Sequence, residues 1–177
     1  MRDNPLHIAA FGDDPDRRQH RLGRLFAVAL PMIYAKGVVL GAFDDITLVG
    51  IAGMIAPGKC QPSFTEKLSL MHRFVPALGG SPFVRVGRWM AEWARRDPRQ
   101  PHWHLGPVAV DAPLQHRGIG TLLMTEYCAR VDRVHAMGYL ETDKESNVGF
   151  YRRFGFETCG STPVLQTANW FMQRSRR

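Results

Sequence analysis

A chain of 177 residues with 45% hydrophobic and 22% charged residues has the make-up of one globular domain, a balance that excludes wholesale disorder. Lys+Arg 23 against Asp+Glu 16 leaves a formal charge of +7, which favours polyanionic partners: nucleic acid, an acidic membrane or a phosphorylated cofactor. The three cysteines Cys60, Cys128 and Cys159 are far apart and form no CxxC pair, so they give neither a disulfide framework nor a thiolate zinc site, and a reducing compartment is expected.

The first residues, Met1 to Pro5, lack the apolar core of a secretory signal. Asp13-Asp14-Pro15-Asp16 reads as a helix start, because carboxylates and Pro suit a first turn. The following segment carries Leu22, Leu25, Phe26 and Ala29 on one face and is expected to break at Pro31. Two apolar runs, Val38 to Phe43 and Ile46 to Ile55, join at Asp44-Asp45 as a β-hairpin. Those two charges in the most apolar stretch argue against a membrane span. A helix after Pro62-Ser63 carries Phe64, Leu68, Met71 and Val75 at helical spacing. A loop over Ala77 to Pro82 leads to a further helix with Val86, Trp89, Met90 and Trp93.

The second half has clearer punctuation. His102 to Val110 reads as a strand, Asp111 to Leu114 as a turn. A long helix follows from Gly118, with Ile119, Leu123, Tyr127, Val131 and Val134 forming one buried stripe. Tyr139 to Thr142 is a short strand and Asn147 to Arg153 a short helix stopped by Gly155. Phe156 to Val164 and Ala168 to Gln173 read as a final antiparallel pair, and Arg174 to Arg177 as a solvated tail. This order implies an α/β (α+β) domain spanning residues 1–177, with helices on both faces of a mixed sheet.

One segment carries recognisable ligand chemistry. Gln115-His116-Arg117-Gly118-Ile119-Gly120-Thr121 lies between a strand and an amphipathic helix. Its glycines admit close backbone approach, and the first helical turn leaves N–H groups unpaired at the positive end of the macrodipole. A phosphate fits there, with Arg117 adding a full charge. The segment lacks the Lys-Ser/Thr pair of an ATP loop and the glycine spacing of a dinucleotide fold. His102 and His104 alternate with Trp103, so both imidazoles face one side of their strand. They could meet a metal ion, but no third ligand stands at a recognisable spacing, so no metal is expected.

The Q-x-x-G-x-G loop, together with Leu140-Glu141-Thr142-Asp143 and the run from Asn147 through Tyr151 to Gly155-Phe156-Glu157, resembles the GNAT superfamily of N-acetyltransferases. The resemblance covers about His102 to Glu157. The stretch Pro101 to Leu105 and the ending Trp170-Phe171-Met172 are similar to its puromycin-acetyltransferase-like branch. The resemblance implies a single mixed, mostly antiparallel sheet of about six or seven strands with a V-shaped splay between two central parallel strands. It implies acetyl-coenzyme A as co-substrate, without metal. Its pantetheine arm would lie along Val108, Ala109 and Val110, its pyrophosphate on the amides of Gln115 to Thr121, and Asn147 would bond the arm from the other side. Tyr151, four residues after Asn147 on one helix face, would protonate the departing thiolate. A substrate amine must first lose a proton, and Glu141, His104 and Glu66 are the candidate bases. Trp89, Trp93, Trp103 and Phe83 are candidates to line an amine pocket, with at least one of Trp89 and Trp93 in the core. Arg95, Arg96 and Arg99 form either a solvated face or a contact for an adenosine 3′-phosphate.

The expected function is acetyl transfer from acetyl-CoA to a primary amine of a small molecule by direct attack, in a cytoplasmic monomer or homodimer. The alternatives are a non-enzymatic acyl-CoA-binding regulatory module, a protein N-acetyltransferase, and a nucleic-acid binder. Dispersed basic residues and the lack of any helix-turn-helix, zinc finger or aromatic RNA-binding motif count against the last.

Overall fold

The computed structural model of the protein describes residues 1–176. Its elements run α1 (Pro5–Phe11), α2 (Pro15–Lys36), β1 (Gly37–Asp44), β2 (Thr47–Ile55), α3 (Phe64–Leu78), α4 (Gly80–Ala94), β3 (His102–Val110), α5 (Ile119–Arg133), β4 (Met137–Thr142), α6 (Glu145–Arg152), β5 (Glu157–Val164) and β6 (Thr167–Arg174). Six strands form one sheet in the order β1-β2-β3-β4-β6-β5, antiparallel throughout except for the parallel pair β3–β4. This is the mixed α/β architecture that the sequence predicts. No helix among the described residues is long and apolar enough to cross a membrane.

Helix α2 starts where the sequence places it. The Asp14 carboxylate accepts from the amides of Asp16 and Arg17 at 3.0 and 3.1 Å, and Pro15 occupies the first turn. The helix does not break at Pro31, which lies inside it. Pro31 forfeits one backbone hydrogen bond, while Ala29 and Ile33 on either side of it are buried and hold the helix against the sheet. α3 corrects a second expectation: Phe64, Leu68, Met71 and Val75 are exposed, and the helix buries Phe74 and Leu78 instead. α3 runs on to Leu78 and meets α4 at Gly79, where φ is 76°, so the expected loop shrinks to one glycine.

Two apolar clusters flank the sheet. One joins α5 to the sheet through Leu123, Met124, Tyr127 and Val131, together with Leu105, Leu140, Tyr151, Phe156 and Met172. Val134, expected to complete the α5 stripe, lies beyond the helix end and is exposed. The other gathers Leu6, Phe11, Leu25, Phe74, Val86 and Trp89 from α1, α2, α3 and α4.

Two buried polar groups outside the cores fasten the chain ends. Asp143, just past β4, accepts from the Leu6 amide at 2.8 Å and from Asn4 at 3.2 Å, tying α1 to the centre of the sheet. Arg174, expected in a solvated tail, is instead the buried last residue of β6, paired with Asp132 of α5. Buried His7 adds a pH response. Burial lowers its pKa below 6.5 although its Nδ1 donates to the Met1 carbonyl at 2.7 Å. The unfolded chain then binds the proton more readily, so we expect stability to be lost as pH falls below about 6.5. Chemical denaturation of wild type and His7→Gln at pH 7.5 and 5.5 checks this: the pH-induced loss should be smaller in the variant.

Candidate active site

The parallel pairing of β3 and β4 ends early. It runs from His102↔Met137 to Leu105↔Leu140 and stops. β3 continues through Gly106 to Val110 against β2 alone, with Val108, Ala109 and Val110 opposite Ala52, Ile51 and Gly50. β4 turns instead into α6. The sheet therefore opens into a V whose β3 wall carries an unpaired edge. The Asp111 amide donates to the Val49 carbonyl at 2.9 Å, so by strand alternation Val110 and Val108 direct their backbone groups into the opening and Ala109 bonds β2. The Gln115 side chain fits this assignment, donating its Nε2 to the Val110 carbonyl at 3.2 Å. Of the three strand residues singled out from sequence, Val108 and Val110 face the opening and Ala109 does not.

The outer end of the same wall leads into the glycine loop. His116 has φ 64° and Gly118 has φ 87°, so the backbone curls through the left-handed region twice before α5 begins. Gly118 is the N-cap and supplies no side-chain oxygen. The amides of the first α5 turn thus stay without the usual side-chain acceptor, at the positive end of a 15-residue helix. Such an arrangement can accept an anion. Only Gly118 is demanded by backbone conformation; a Cβ on Gly120 would make ordinary contact with Phe150 at 3.5 Å and Val110 at 3.9 Å. We expect Gly118→Ala to cost about 1 kcal/mol through left-handed strain alone, a drop of about 2–4 °C in melting temperature, since its Cβ would meet nothing within 4 Å.

α6 forms the other side of the opening. Asn147 donates its Nδ2 to Thr142 Oγ1 at 3.2 Å, fixing the amide at the end of β4. Tyr151 is buried between Phe150 and Phe156, with ring centroids 5.3 and 6.1 Å away. Its hydroxyl makes no hydrogen bond among the described residues. Desolvation, with a smaller push from Asp143, raises its pKa to about 12, so it stays protonated throughout the neutral range.

At the inner end of the fork the side chains are ionic. His104 Nε2 lies 2.8 Å from Glu141 Oε2, joining two of the three sequence-predicted base candidates across β3 and β4. The third is elsewhere: Glu66 closes the capping box of α3 with Ser63 and pairs with Lys36 at 2.8 Å. On the other side of His104 its Nδ1 lies 3.4 Å from Asp97 Oδ1, and His102 Nε2 lies 3.0 Å from the same oxygen. Cys60 Sγ is 3.5 Å from His102 Nε2. One potential donor atom from each of Cys60, Asp97, His102 and His104 falls within 4.8 Å of all the others. Sequence spacing shows no third ligand beside the histidine pair, because Cys60 and Asp97 approach it from separate loops. Burial opposes charge on both imidazoles, but Asp97 and Cys60 raise His102 to about 10, and Glu141 and Asp97 raise His104 well above its usual value. Burial also opposes the Cys60 thiolate, yet the two imidazoles hold its pKa below the ordinary thiol value.

The remaining candidates separate. Trp89, Phe83 and Trp93 pack together in the second core, Trp93 edge-on to Trp89 at 5.1 Å and donating to Asn169 at 3.1 Å, whereas Trp103 packs on the opposite, α5 side of the sheet, so the four rings do not share one pocket. Arg95 and Arg96 pair with Glu92 at the end of α4. They precede β3, whose nine residues place about 30 Å of strand between them and the glycine loop. They do not reach a phosphate there.

Solved structures share this fold. A histone acetyltransferase HPA2 and related acetyltransferase from Corynebacterium glutamicum is 24% identical, with 98% of this chain and 84% of that chain covered at a TM-score of 0.71. PH1933 from Pyrococcus horikoshii is 12% identical over 99% of this chain and 92% of that chain, at 0.57. A ribosomal-protein-alanine N-acetyltransferase from Brucella melitensis is 16% identical over 97% and 88%, at 0.52. The family model for the acetyltransferase (GNAT) family matches residues 33–156, a span that contains the fork, the glycine loop and α6. With that match over most of its length, the chain belongs to the GNAT acetyltransferase family.

Proposed function

We propose that the protein transfers the acetyl group of acetyl-CoA to a primary amine of a small molecule, in a ternary complex. The observation that carries this reading is the continuity of one strand with two binding features: the β3 edge freed beyond Leu105 leads directly into the uncapped start of α5. A diphosphate at the amides of residues 116–121 leaves a pantetheine arm lying along Val108 and Val110. Its two amide groups can exchange hydrogen bonds with that edge as an added strand would, while Asn147 meets it from α6. The thioester then reaches the fork, and the Val108 or Val110 N–H stabilises the oxyanion that forms as the amine attacks.

The neutral amine attacks the thioester carbonyl and the C–S bond breaks while the Tyr151 hydroxyl hydrogen-bonds the departing sulfur. On the acceptor side Glu141 Oε1 takes no hydrogen bond and accepts the proton that the amine nitrogen gives up on attack, and the thiolate leaves as CoA after taking up one proton in its place. His104 orients Glu141 through its other oxygen. The likeness of Pro101 to Leu105 and Trp170 to Met172 to the puromycin-acetyltransferase-like branch supports a small acceptor.

The test is thiol release from acetyl-CoA in the presence of a panel of small amines and of a peptide with N-terminal alanine. Release with a small amine supports the proposal, and release with the peptide alone points to protein acetylation. Stabilisation by CoA, about 2.7 kcal/mol at a hundredfold excess over Kd, with no thiol release from any acceptor, points to a binding module.

A further inference from the structure

We propose that Cys60, Asp97, His102 and His104 bind one divalent transition-metal ion, Zn²⁺ by donor type, in a closed tetrahedral site. The four residues come from three places: Cys60 from the β2–α3 loop, Asp97 from the α4–β3 loop, and the two histidines from the first turn-facing rungs of β3. Their spacing is close to that of a coordination shell, all four donor atoms lying within 4.8 Å of one another. The edge of a tetrahedron is about 1.63 times its centre-to-vertex distance, so Zn–N, Zn–O and Zn–S bonds of about 2.0–2.3 Å require donors about 3.3–3.8 Å apart. Cys60 Sγ to His102 Nε2 at 3.5 Å and His104 Nδ1 to Asp97 Oδ1 at 3.4 Å fall in this range, and His102 Nε2 to Asp97 Oδ1 at 3.0 Å is shorter and would open slightly around an ion.

The outer partners decide which nitrogens face the centre. His102 Nδ1 lies 2.8 Å from the Gln100 carbonyl, which can only accept, so Nδ1 carries the hydrogen and Nε2 is left with its lone pair. His104 Nε2 lies 2.8 Å from the Glu141 carboxylate, so Nε2 carries the hydrogen and Nδ1 faces inward. Gln61, next to Cys60, donates to the other Asp97 oxygen at 2.8 Å. Each imidazole and the carboxylate therefore has the orienting partner that metal ligands characteristically have.

In this arrangement two bare nitrogens, a carboxylate oxygen and a sulfur converge, and the Cys60 thiol, 3.5 Å from His102 Nε2, is the one donor among them. That thiol proton cannot also serve Asp97 Oδ1, which extra protons on the imidazoles or a metal ion would satisfy. Protons would make both rings share Asp97 Oδ1, at 3.0 and 3.4 Å, yet neither contact is aligned as a hydrogen bond and the oxygen is buried. Four donor atoms within 4.8 Å of one another can close around a single ion. With four protein donors the site has no open position, so its role is structural. It pins two loops to the start of β3, and through His104 it fixes Glu141 at the fork. Binding releases the Cys60 thiol proton to solvent and leaves the metal's oxidation state unchanged.

The protein is purified without chelator or affinity-tag metal, stripped with a strong chelator, and titrated with Co²⁺ as a spectroscopic stand-in. We expect saturation at one ion per chain, visible bands of tetrahedral intensity, and a near-ultraviolet thiolate-to-cobalt band. Zn²⁺ should displace Co²⁺ and raise the melting temperature of the stripped protein. Cys60→Ser should lose the thiolate band, whereas Cys159→Ser should keep it. Glu141→Gln, which alters only the outer partner, should weaken the metal about 10–100-fold. Weak octahedral bands, binding in excess of one ion without a thiolate band, or a spectrum unchanged by Cys60→Ser overturns the proposal in favour of a protonated cluster. None of these readouts uses acetyl transfer, so the metal site and the reaction stand or fall separately.

Discussion

Tyr151→Phe is expected to lower kcat for acetyl transfer about 100-fold while leaving CoA affinity and melting temperature nearly unchanged. The stability half follows from packing. Phe keeps the ring that sits between Phe150 and Phe156, and the lost hydroxyl has no hydrogen-bond partner to abandon, so nothing buried becomes unsatisfied. The activity half follows from proton chemistry, for which general acids contribute about 10²–10⁴-fold. Burial holds Tyr151 at about 12, whereas a thiol reference value is about 8.5. Full transfer to a free thiolate is therefore uphill by about 3.5 units, or about 5 kcal/mol. Tyr151 then acts chiefly by hydrogen-bonding the sulfur as charge builds, which sets the effect at the lower end of that range. A phenol loses its acid form only as pH rises through its pKa, so the rate profile between pH 6 and 10 should show no downturn that disappears in the variant. Steady-state kinetics with a CoA thermal shift checks both halves. Full activity in Tyr151→Phe would reduce the residue to a packing ring.

The elements around the fork were legible because each has local punctuation. Asp111 and the Gly118 turn bound β3 and α5, Gly155 ends the α6 region, and the α5 stripe of Leu123, Tyr127 and Val131 is buried as its spacing predicts. What the sequence hid was partnership. Helical periodicity located a face on α3, but only the neighbours decide that Phe74 and Leu78 go inward while Leu68 and Met71 stay outside. Pro31 is a local breaker overridden by the burial of Ala29 and Ile33. α1 carries no apolar period long enough to announce itself and is fixed by Asp143, more than 130 positions away. The Cys60–Asp97–His102–His104 cluster shows the same limit at the level of chemistry. The histidine pair was visible by strand alternation, whereas Cys60 and Asp97 join it only because α3 and α4 fold back over the sheet.

Arg174→Ala should be the most destabilising single change outside the apolar cores, at about 2–3 kcal/mol. Arg174 is 3% exposed in its side chain, donates to both Asp132 oxygens, and donates its Nε to the Phe154 carbonyl at 2.8 Å. The guanidinium thereby ties β6, the last turn of α5 and the α6–β5 junction together. Breaking a fully buried pair costs about 3–5 kcal/mol, and exposed pairs are worth about 0–1 kcal/mol. Asp132 is 35% exposed and can regain water when its partner goes, which places the expected cost below the buried range. For a chain of this length that corresponds to about 5–10 °C in melting temperature. Arg174→Lys should recover only part of the loss, since an ammonium cannot span both carboxylate oxygens and the Phe154 carbonyl at once. Arg176→Ala, two residues on and exposed, should leave the melting temperature unchanged. Because the lesion is remote from the thioester, kcat measured well below the new transition should stay near wild type, which sets this residue apart from Tyr151 by the opposite pattern: stability lost, chemistry kept.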